Sequence, residues 1–198
     1  TYSNRYRLHN LLSEASQRRL EKVRPVLQKY AGEQGFDWLL LAAVAYKESG
    51  LNPAAQGQNG ATGLMQVTPV AGRAVGMSNI RTLENNVQAA AKYLARIRRK
   101  FFSNPQIAER ERMAFILAGY NLGPQRVQSL RAEARRQGLD ANRWFFQVER
   151  VAVEKFGLHT VSYVNSLNKY YQAFVDQRDF LEPRKPAVEK ISGLSIPR

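Results

Sequence analysis

Residues 38–50, WLLLAAVAYKESG, decide how the rest of the chain is interpreted. The first nine of them are apolar, and Leu41, Val44 and Glu48 recur at the spacing of one helix face. Gly50 can adopt the left-handed conformation that closes a helix. The stretch therefore predicts a core helix that ends beside a carboxylate. Its apolar run is far shorter than the ~20 residues that a membrane span requires.

Helical patterns continue on both sides of this segment. Further helices are predicted over Ser13 to Tyr30, from Thr68-Pro69, from Thr82 through Ile97, over Met113 to Tyr120 up to Gly123-Pro124, around Val127 and Leu130, over Trp144 to Val153, and over Val161 to Phe174. Residues 51–63 are rich in Gly, Asn, Gln and Ala and predict a loop. No stretch alternates long enough to build a sheet. We expect an all-α domain over residues 1–180 and a proline-containing tail or linker over residues 181–198.

The composition bounds the possible function. The chain has 198 residues and no cysteine, which excludes a disulfide scaffold and a thiolate metal site. His9 and His159 lie far apart in the sequence, so we expect neither a metal site nor a cofactor. The chain begins at Thr1 without a visible signal peptide, which fits a processed or excised piece.

The charge is strongly positive. A formal net charge of +14 favours anionic partners, namely nucleic acid, an anionic membrane surface or the acidic cell-wall mesh. The basic residues are scattered along the chain, so they could equally be solvated helix faces. Charge alone does not select a partner.

Glu48 is the candidate catalytic group. It continues a buried stripe, and burial disfavours the charged carboxylate, which raises the pKa as a glycosidic general acid requires. A Glu that turns outward, or pairs with an arginine, is the alternative on this helix alone. No Asp or Glu occurs between Glu48 and Glu84. The adjacent loop therefore offers no second carboxylate for ordinary hydrolysis, which hints at a substrate that supplies its own nucleophile.

Three ordered motifs carry a family resemblance. They are Glu48-Ser49 with Asn52-Pro53, Gly60-Ala61-Thr62-Gly63-Leu64-Met65-Gln66, and Ala118-Gly119-Tyr120-Asn121-Leu122-Gly123-Pro124. In this order and at these separations they resemble the signature of the lytic transglycosylases. The similarity covers Asp37 to Val127, with a weaker match at Tyr163-Val164. The helical C-terminal part looks more like the membrane-bound F type, in which another domain precedes the catalytic one.

The resemblance implies a lysozyme-like fold with a glycan groove. It also implies non-hydrolytic cleavage of the MurNAc–GlcNAc β-1,4 bond of peptidoglycan, with Glu48 first as acid and then as base. By the same resemblance Met65 lines the floor of the groove and Gln66 binds the sugar, and the alternative for Met65 is an ordinary core residue. Tyr120 and Asn121 approach and position Glu48, Tyr163 lines the cleft, and Ser49 is structural. Peptidoglycan strands are the implied partner. The implied location is the periplasm of the bacterial envelope, with association to the outer membrane through a segment not in this chain.

Two positions depart from the family pattern. Gly57 stands where many relatives have a serine, whose hydroxyl is expected to contact the catalytic region. Gly119 stands where the family commonly has alanine, and because glycine costs a helix ~1 kcal/mol relative to alanine, we expect a close approach by a neighbouring segment.

Three other functions are weighed. A hydrolytic goose-type lysozyme would need Glu84 or Asp140 to reach the cleft. A non-catalytic peptidoglycan-binding module is disfavoured by the intact Glu48. A nucleic-acid-binding domain lacks a recognisable reading helix and an aromatic–basic repeat, so no nucleic-acid partner is expected.

Overall fold

The fold is built from helices. The computed structural model describes residues 12–182. Its α-helices are α1 Glu14–Gln34, α2 Trp38–Ser49, α3 Pro69–Ala74, α4 Leu83–Phe101, α5 Glu109–Leu122, α6 Pro124–Arg136, α7 Glu149–Phe156, α8 His159–Asp176 and α9 Arg178–Leu181. A 3₁₀ turn spans Gln58–Gly60 and a π turn spans Trp144–Val148. Over residues 12–182 the only β-type pairing is at isolated bridges, so the all-α prediction is confirmed.

The helix ends follow from local chemistry. Hydroxyl or carboxylate oxygens accept backbone N–H groups at the starts of four helices, where Ser13, Asp37, Thr68 and Thr82 are the N-caps. Gly50 closes α2 with φ of 60°, as its position predicts. The predicted starts of α3 and α4 are thereby confirmed. Of the predicted tail, residues 183–198 lie outside the described part of the chain.

The central element is α2. Every residue from Trp38 to Ala45 is buried, because α2 packs against α1 on one side and α8 on another. The second buried helix, α5, packs against α4, α6 and α8. This arrangement brings the C-terminal end of α2 next to α8. Across residues 12–182, no helix combines the length and the apolar character needed to cross a membrane.

The predicted helix over Trp144 to Val153 is wrong in its first part. Phe145 has ψ of 125° and Phe146 has φ of 63°, so the chain makes an irregular π turn before α7 begins at Glu149. The buried carboxylate of Glu111 on α5 accepts the N–H groups of Trp144 at 2.7 Å and of Phe145 at 3.1 Å. The backbone N–H groups of this turn are therefore satisfied by an acid that is distant in sequence. Apolar periodicity cannot predict such a turn, because it reports only on neighbouring positions.

Gly119 marks a close approach inside α5. A β-carbon at this position would lie 3.3 Å from the Ile97 side chain on α4 and 3.5 Å from the Pro124 Cα. The distance to Ile97 is tight, so that side chain would have to move by a few tenths of an ångström, whereas 3.5 Å is an ordinary van der Waals contact. The expected close approach by a neighbouring segment is confirmed at Ile97 of α4.

Candidate active site

Glu48 lies in the last turn of α2 with its side chain half-buried. The Tyr163 hydroxyl on α8 donates a hydrogen bond of 2.6 Å to its Oε1 atom. Burial raises the pKa of Glu48, while the Tyr163 bond and the charges of Lys47 and His159 act in the opposite direction without cancelling it. The carboxyl group therefore keeps its proton to a higher pH than an exposed glutamate does.

Tyr163 is the direct partner of Glu48. Only 4% of the residue is exposed, and burial, followed by the negative charge of Glu48, raises its pKa well above 10. Its hydroxyl thus remains a hydrogen-bond donor at neutral pH. The motif match suggested only that Tyr163 lines the cleft. The packing of α8 against α2 gives it a direct contact with the candidate catalytic acid.

Tyr120 lies on α5 and also comes near Glu48. Its hydroxyl donates a 2.6 Å hydrogen bond to the backbone oxygen of Met65. Burial and then the charge of Glu48 raise the pKa of Tyr120 well above 10, so Tyr120 is close enough to sense that charge. Tyr120 thus ties the Gly63–Gln66 segment to α5, close to Glu48.

Of the two positions predicted for Met65, the structure has the one in the core rather than the one at the floor of the groove. Its side chain is fully buried in the core, with 0% exposed. A side chain with no exposed surface cannot line the floor of a groove. In this structure Met65 contributes core packing and the carbonyl group that accepts from Tyr120.

Gln66 and Gly57 form a pair that the sequence does not link. Gln66 has φ of 49°, and its Nε2 donates to the backbone oxygens of Ala55 at 3.1 Å and Gly63 at 2.9 Å. Its Oε1 lies where a β-carbon on residue 57 would sit, so any side chain there would overlap it. The departure from serine at Gly57 therefore leaves room for the amide oxygen of Gln66.

A cavity of about 190 Å³ adjoins these residues. It is lined by Gln66, Val67, Thr68, Ala71, Tyr93, Tyr120, Asn121, Leu122 and Gly123. Three residues predicted for the site, Gln66, Tyr120 and Asn121, are thus brought together. Asn121 does not contact Glu48 through a hydrogen bond. Its Oδ1 accepts from the Thr160 hydroxyl at 2.9 Å, which joins α5 to the start of α8.

Two residues near the cavity and Glu48 were not predicted. Tyr93 lines the cavity, with its ring centroid 5.9 Å from that of Tyr120. His159, at the start of α8, lies near enough to Glu48 for its charge to lower the pKa of the carboxyl. Only the tertiary packing of α4 and α8 brings them there.

Asn86 and Ser49 hold the loop in place. The buried Asn86 side chain accepts from the Met65 N–H at 2.9 Å and donates to the carbonyls of Thr62 at 2.8 Å and Ile80 at 2.9 Å. Ser49 donates to the Leu64 carbonyl at 2.7 Å, in line with its expected structural role. The sequence signal for Asn86 is that this polar residue stands directly before Val87, which belongs to the apolar stripe of α4.

The other candidate carboxylates are engaged elsewhere. Glu84 accepts from the Tyr30 hydroxyl and lies 4.0 Å from Lys29. Asp140 accepts the N–H of Asn142 at 2.9 Å in an exposed turn. Among residues 12–182, no group of three or more His, Asp or Glu side chains is arranged to hold a metal ion.

Comparison with known proteins identifies the family. The model of the transglycosylase SLT domain matches residues 25–143, more than half of the chain, and this stretch contains all three motifs. The chain belongs to the transglycosylase SLT domain family.

Individual relatives agree with this assignment. A protein named membrane-bound lytic murein transglycosylase F from Desulfosudis oleivorans is 34% identical over 84% of this chain and 38% of its own length. One of the same name from Vibrio cholerae is 32% identical over 90% of this chain and 35% of its own length. The chain thus spans well under half of these curated relatives.

A solved structure supports the fold. The chain aligns with an inactive mutant of the lytic transglycosylase Slt from Pseudomonas aeruginosa with a TM-score of 0.57 and 22% identity. The alignment covers 81% of this chain and 25% of that one. The lysozyme-like helical fold expected for this chain is thereby confirmed.

Proposed function

We propose that this chain is the catalytic part of a peptidoglycan lytic transglycosylase, with Glu48 acting as the general acid and then as the general base. The observation that carries the proposal is the half-buried Glu48 carboxyl, whose pKa is raised by burial and which accepts a hydrogen bond from Tyr163. Family membership and the names of the similar proteins support the same activity.

The reaction needs one carboxyl group that changes protonation state twice. Protonated Glu48 donates its proton to the glycosidic oxygen as the bond between this oxygen and C1 of MurNAc breaks. The carbonyl oxygen of the N-acetyl group of MurNAc stabilises the electron-deficient C1. The Glu48 carboxylate then removes the proton of the C6 hydroxyl, and O6 bonds to C1. The products are a GlcNAc end and a 1,6-anhydro-MurNAc end, and no water is consumed.

The surroundings of Glu48 suit both halves of this cycle. Burial favours the protonated acid before cleavage, whereas the Tyr163 hydroxyl can stabilise the carboxylate that forms when the proton leaves. Neither Glu84 nor Asp140 is directed to this end of α2, which favours the transglycosylase over a hydrolytic lysozyme.

Substrate-binding roles are proposed for the residues along the cavity. Gln66, Tyr120 and Asn121 line it, and the Oε1 atom of Gln66 is the side-chain acceptor that its two Nε2 hydrogen bonds leave available to a sugar hydroxyl or amide. Tyr163 is proposed to act on the substrate only through Glu48. Met65 is proposed to act through its backbone, because its side chain is buried.

The proposed substrate implies the location. Peptidoglycan lies outside the inner membrane, so the protein would act in the bacterial envelope, in the periplasm. The similar proteins are named membrane-bound, which supports attachment to an envelope membrane such as the outer membrane, through a segment other than residues 12–182.

Digestion of purified sacculi by this protein, followed by analysis of the released products, tests the proposal. We expect mass spectrometry of the released muropeptides to show 1,6-anhydro-MurNAc ends. Reducing ends would instead identify a hydrolytic lysozyme. Binding to sacculi without any release would identify a non-catalytic module.

A further inference from the structure

A second cavity borders α3 and α4, the two helices that also border the first cavity. Its volume is about 430 Å³, and it is lined by Gln34, Ala74, Val75, Gly76, Lys92, Arg96 and Arg99. The three cationic residues occupy positions i, i+4 and i+7 of α4 and therefore share one helix face. We call this site the basic cavity.

The cations of the basic cavity are not neutralised by the described part of the protein. No ion pair or hydrogen bond joins the side chain of Lys92, Arg96 or Arg99 to another residue between 12 and 182. The adjacent Arg98, which points elsewhere, does form an ion pair with Glu109. Three unpaired positive charges around one concave space attract a ligand with negative charges.

The basic cavity is close to the proposed glycan site. Tyr93 lines the first cavity, and its sequence neighbour Lys92 lines the second. On α3, Ala71 borders the first cavity and Ala74 borders the second. Neighbouring residues of the same two helices, α3 and α4, thus border both cavities.

We propose that the basic cavity binds the carboxylate groups of the peptide stems carried by the peptidoglycan substrate. The inference rests on the proposed function, because a glycan held along the first cavity would deliver its own peptide to the second. The planar guanidinium groups of Arg96 and Arg99 suit carboxylates, which they can bind through paired hydrogen bonds. The cavity is large enough for a few peptide residues.

The test compares two substrates. One is glycan that carries peptide stems, and the other is the same glycan freed of peptides by an amidase. We expect the wild-type protein to cleave the peptide-bearing glycan with a kcat/KM about fivefold higher, as two partly exposed charge pairs would give. The double variant Lys92→Gln/Arg96→Gln should lose this preference and retain the wild-type rate on peptide-free glycan.

A matched variant controls for net charge. Arg135→Gln/Lys155→Gln removes two exposed cations from α6 and α7 and should keep the preference. The inference is overturned if the cavity variant loses activity equally on both substrates, if it keeps the preference, or if it loses instead its binding to phosphatidylglycerol vesicles. Absence of anhydro products from both glycans with the wild-type protein would overturn the proposed function itself.

Discussion

The two ends of α2 each hold a carboxyl group, and the two groups behave in opposite ways. Asp37 caps the N-terminal end and Glu48 lies at the C-terminal end. Each is partly buried and accepts a tyrosine hydroxyl, from Tyr171 at 2.9 Å for Asp37 and from Tyr163 at 2.6 Å for Glu48. Yet the pKa of Asp37 is lowered and that of Glu48 is raised.

The surrounding donors explain this difference. Burial acts to raise the pKa of both groups, but at Asp37 it is outweighed by the bonds from Arg178, the Leu39 N–H and Tyr171. Among residues 12–182, Glu48 accepts a side-chain hydrogen bond from the Tyr163 hydroxyl alone, and it lies at the end of the helix that disfavours negative charge. A directly bonded arginine and a helix N-terminus thus make Asp37 a structural anion. At Glu48 the charges of Lys47 and His159 do not cancel the effect of burial, so this acid can exchange a proton.

Replacing the carboxyl group at each end of α2 by an amide should produce the largest difference in activity between the two ends. We expect Glu48→Gln to reduce the release of anhydro muropeptides by about 10³-fold or more, because an amide can neither donate nor accept the required proton. Asp37→Asn should leave the rate per folded molecule within about twofold. Substantial cleavage by Glu48→Gln would remove this residue from the mechanism.

The same variant should also affect stability. The pKa of Glu48 is raised in the folded state, so its contribution to stability is largest below its unfolded pKa and declines as pH rises toward the folded value. Glu48→Gln should therefore unfold at a higher temperature than the wild type at pH 8. The difference between the two unfolding temperatures should become smaller as the pH is lowered toward 4. Thermal unfolding at both pH values measures this.

At the other end, Asp37→Ala should destabilise the fold. Loss of the N-cap and of the partly exposed pair with Arg178 should cost about 2 kcal/mol. Because the folded pKa of Asp37 is lowered, its contribution is present above the unfolded pKa of about 3.9 and is lost as pH falls through the folded value. Urea unfolding should show a difference at pH 7 that narrows in acid. If the difference in the free energy of unfolding stayed constant with pH, the protonated Asp37 side chain would cap the helix as well as the charged one does.

The two tyrosines offer a finer comparison. Tyr163→Phe removes the bond that lowers the pKa of Glu48, so the pKa should rise and the alkaline limb of the activity profile should move to higher pH. We expect the rate at the optimum to fall about tenfold, because a hydrogen bond to a charged group is lost. Tyr171→Phe is the matched control and should leave the profile unchanged. A limb that stays in place in Tyr163→Phe would show that another group governs it.

The smallest expected effect comes from a substitution in the loop beside the C-terminal end of α2. Gly57→Ser would displace the Gln66 Oε1 atom, which a flexible side chain allows at a cost within about 0.5 kcal/mol. We expect kcat/KM to change by about threefold. In a double variant with Gln66→Ala the two effects should not add, because the serine acts through Gln66. Additive effects would show that position 57 acts independently.

Most of the helices were predictable because their signals are local. Apolar spacing located α2, α4, α5 and α8, and Thr68, Thr82 and Gly50 are capping residues whose chemistry acts over a few positions. The turn at Trp144–Val148 was missed because Glu111, which satisfies its amides, comes from another helix.

The site was predicted only in part. The motifs identified Glu48, Gln66, Tyr120 and Asn121 as a group, but sequence spacing does not say which side chain faces which. Met65 proved to be buried, and the support of the loop by Asn86 was not predicted.

The sequence by itself determined an all-helical chain with an acid at the end of its most apolar helix and three motifs of the transglycosylase SLT domain family. Tertiary structure alone decided that Tyr163, more than a hundred positions later, donates a hydrogen bond to that acid. It also decided that the Gln66 side chain occupies the space beside Gly57. The reason is physical: helix formation and capping depend on near neighbours, whereas burial and hydrogen bonding at Glu48 depend on how α8 packs against α2.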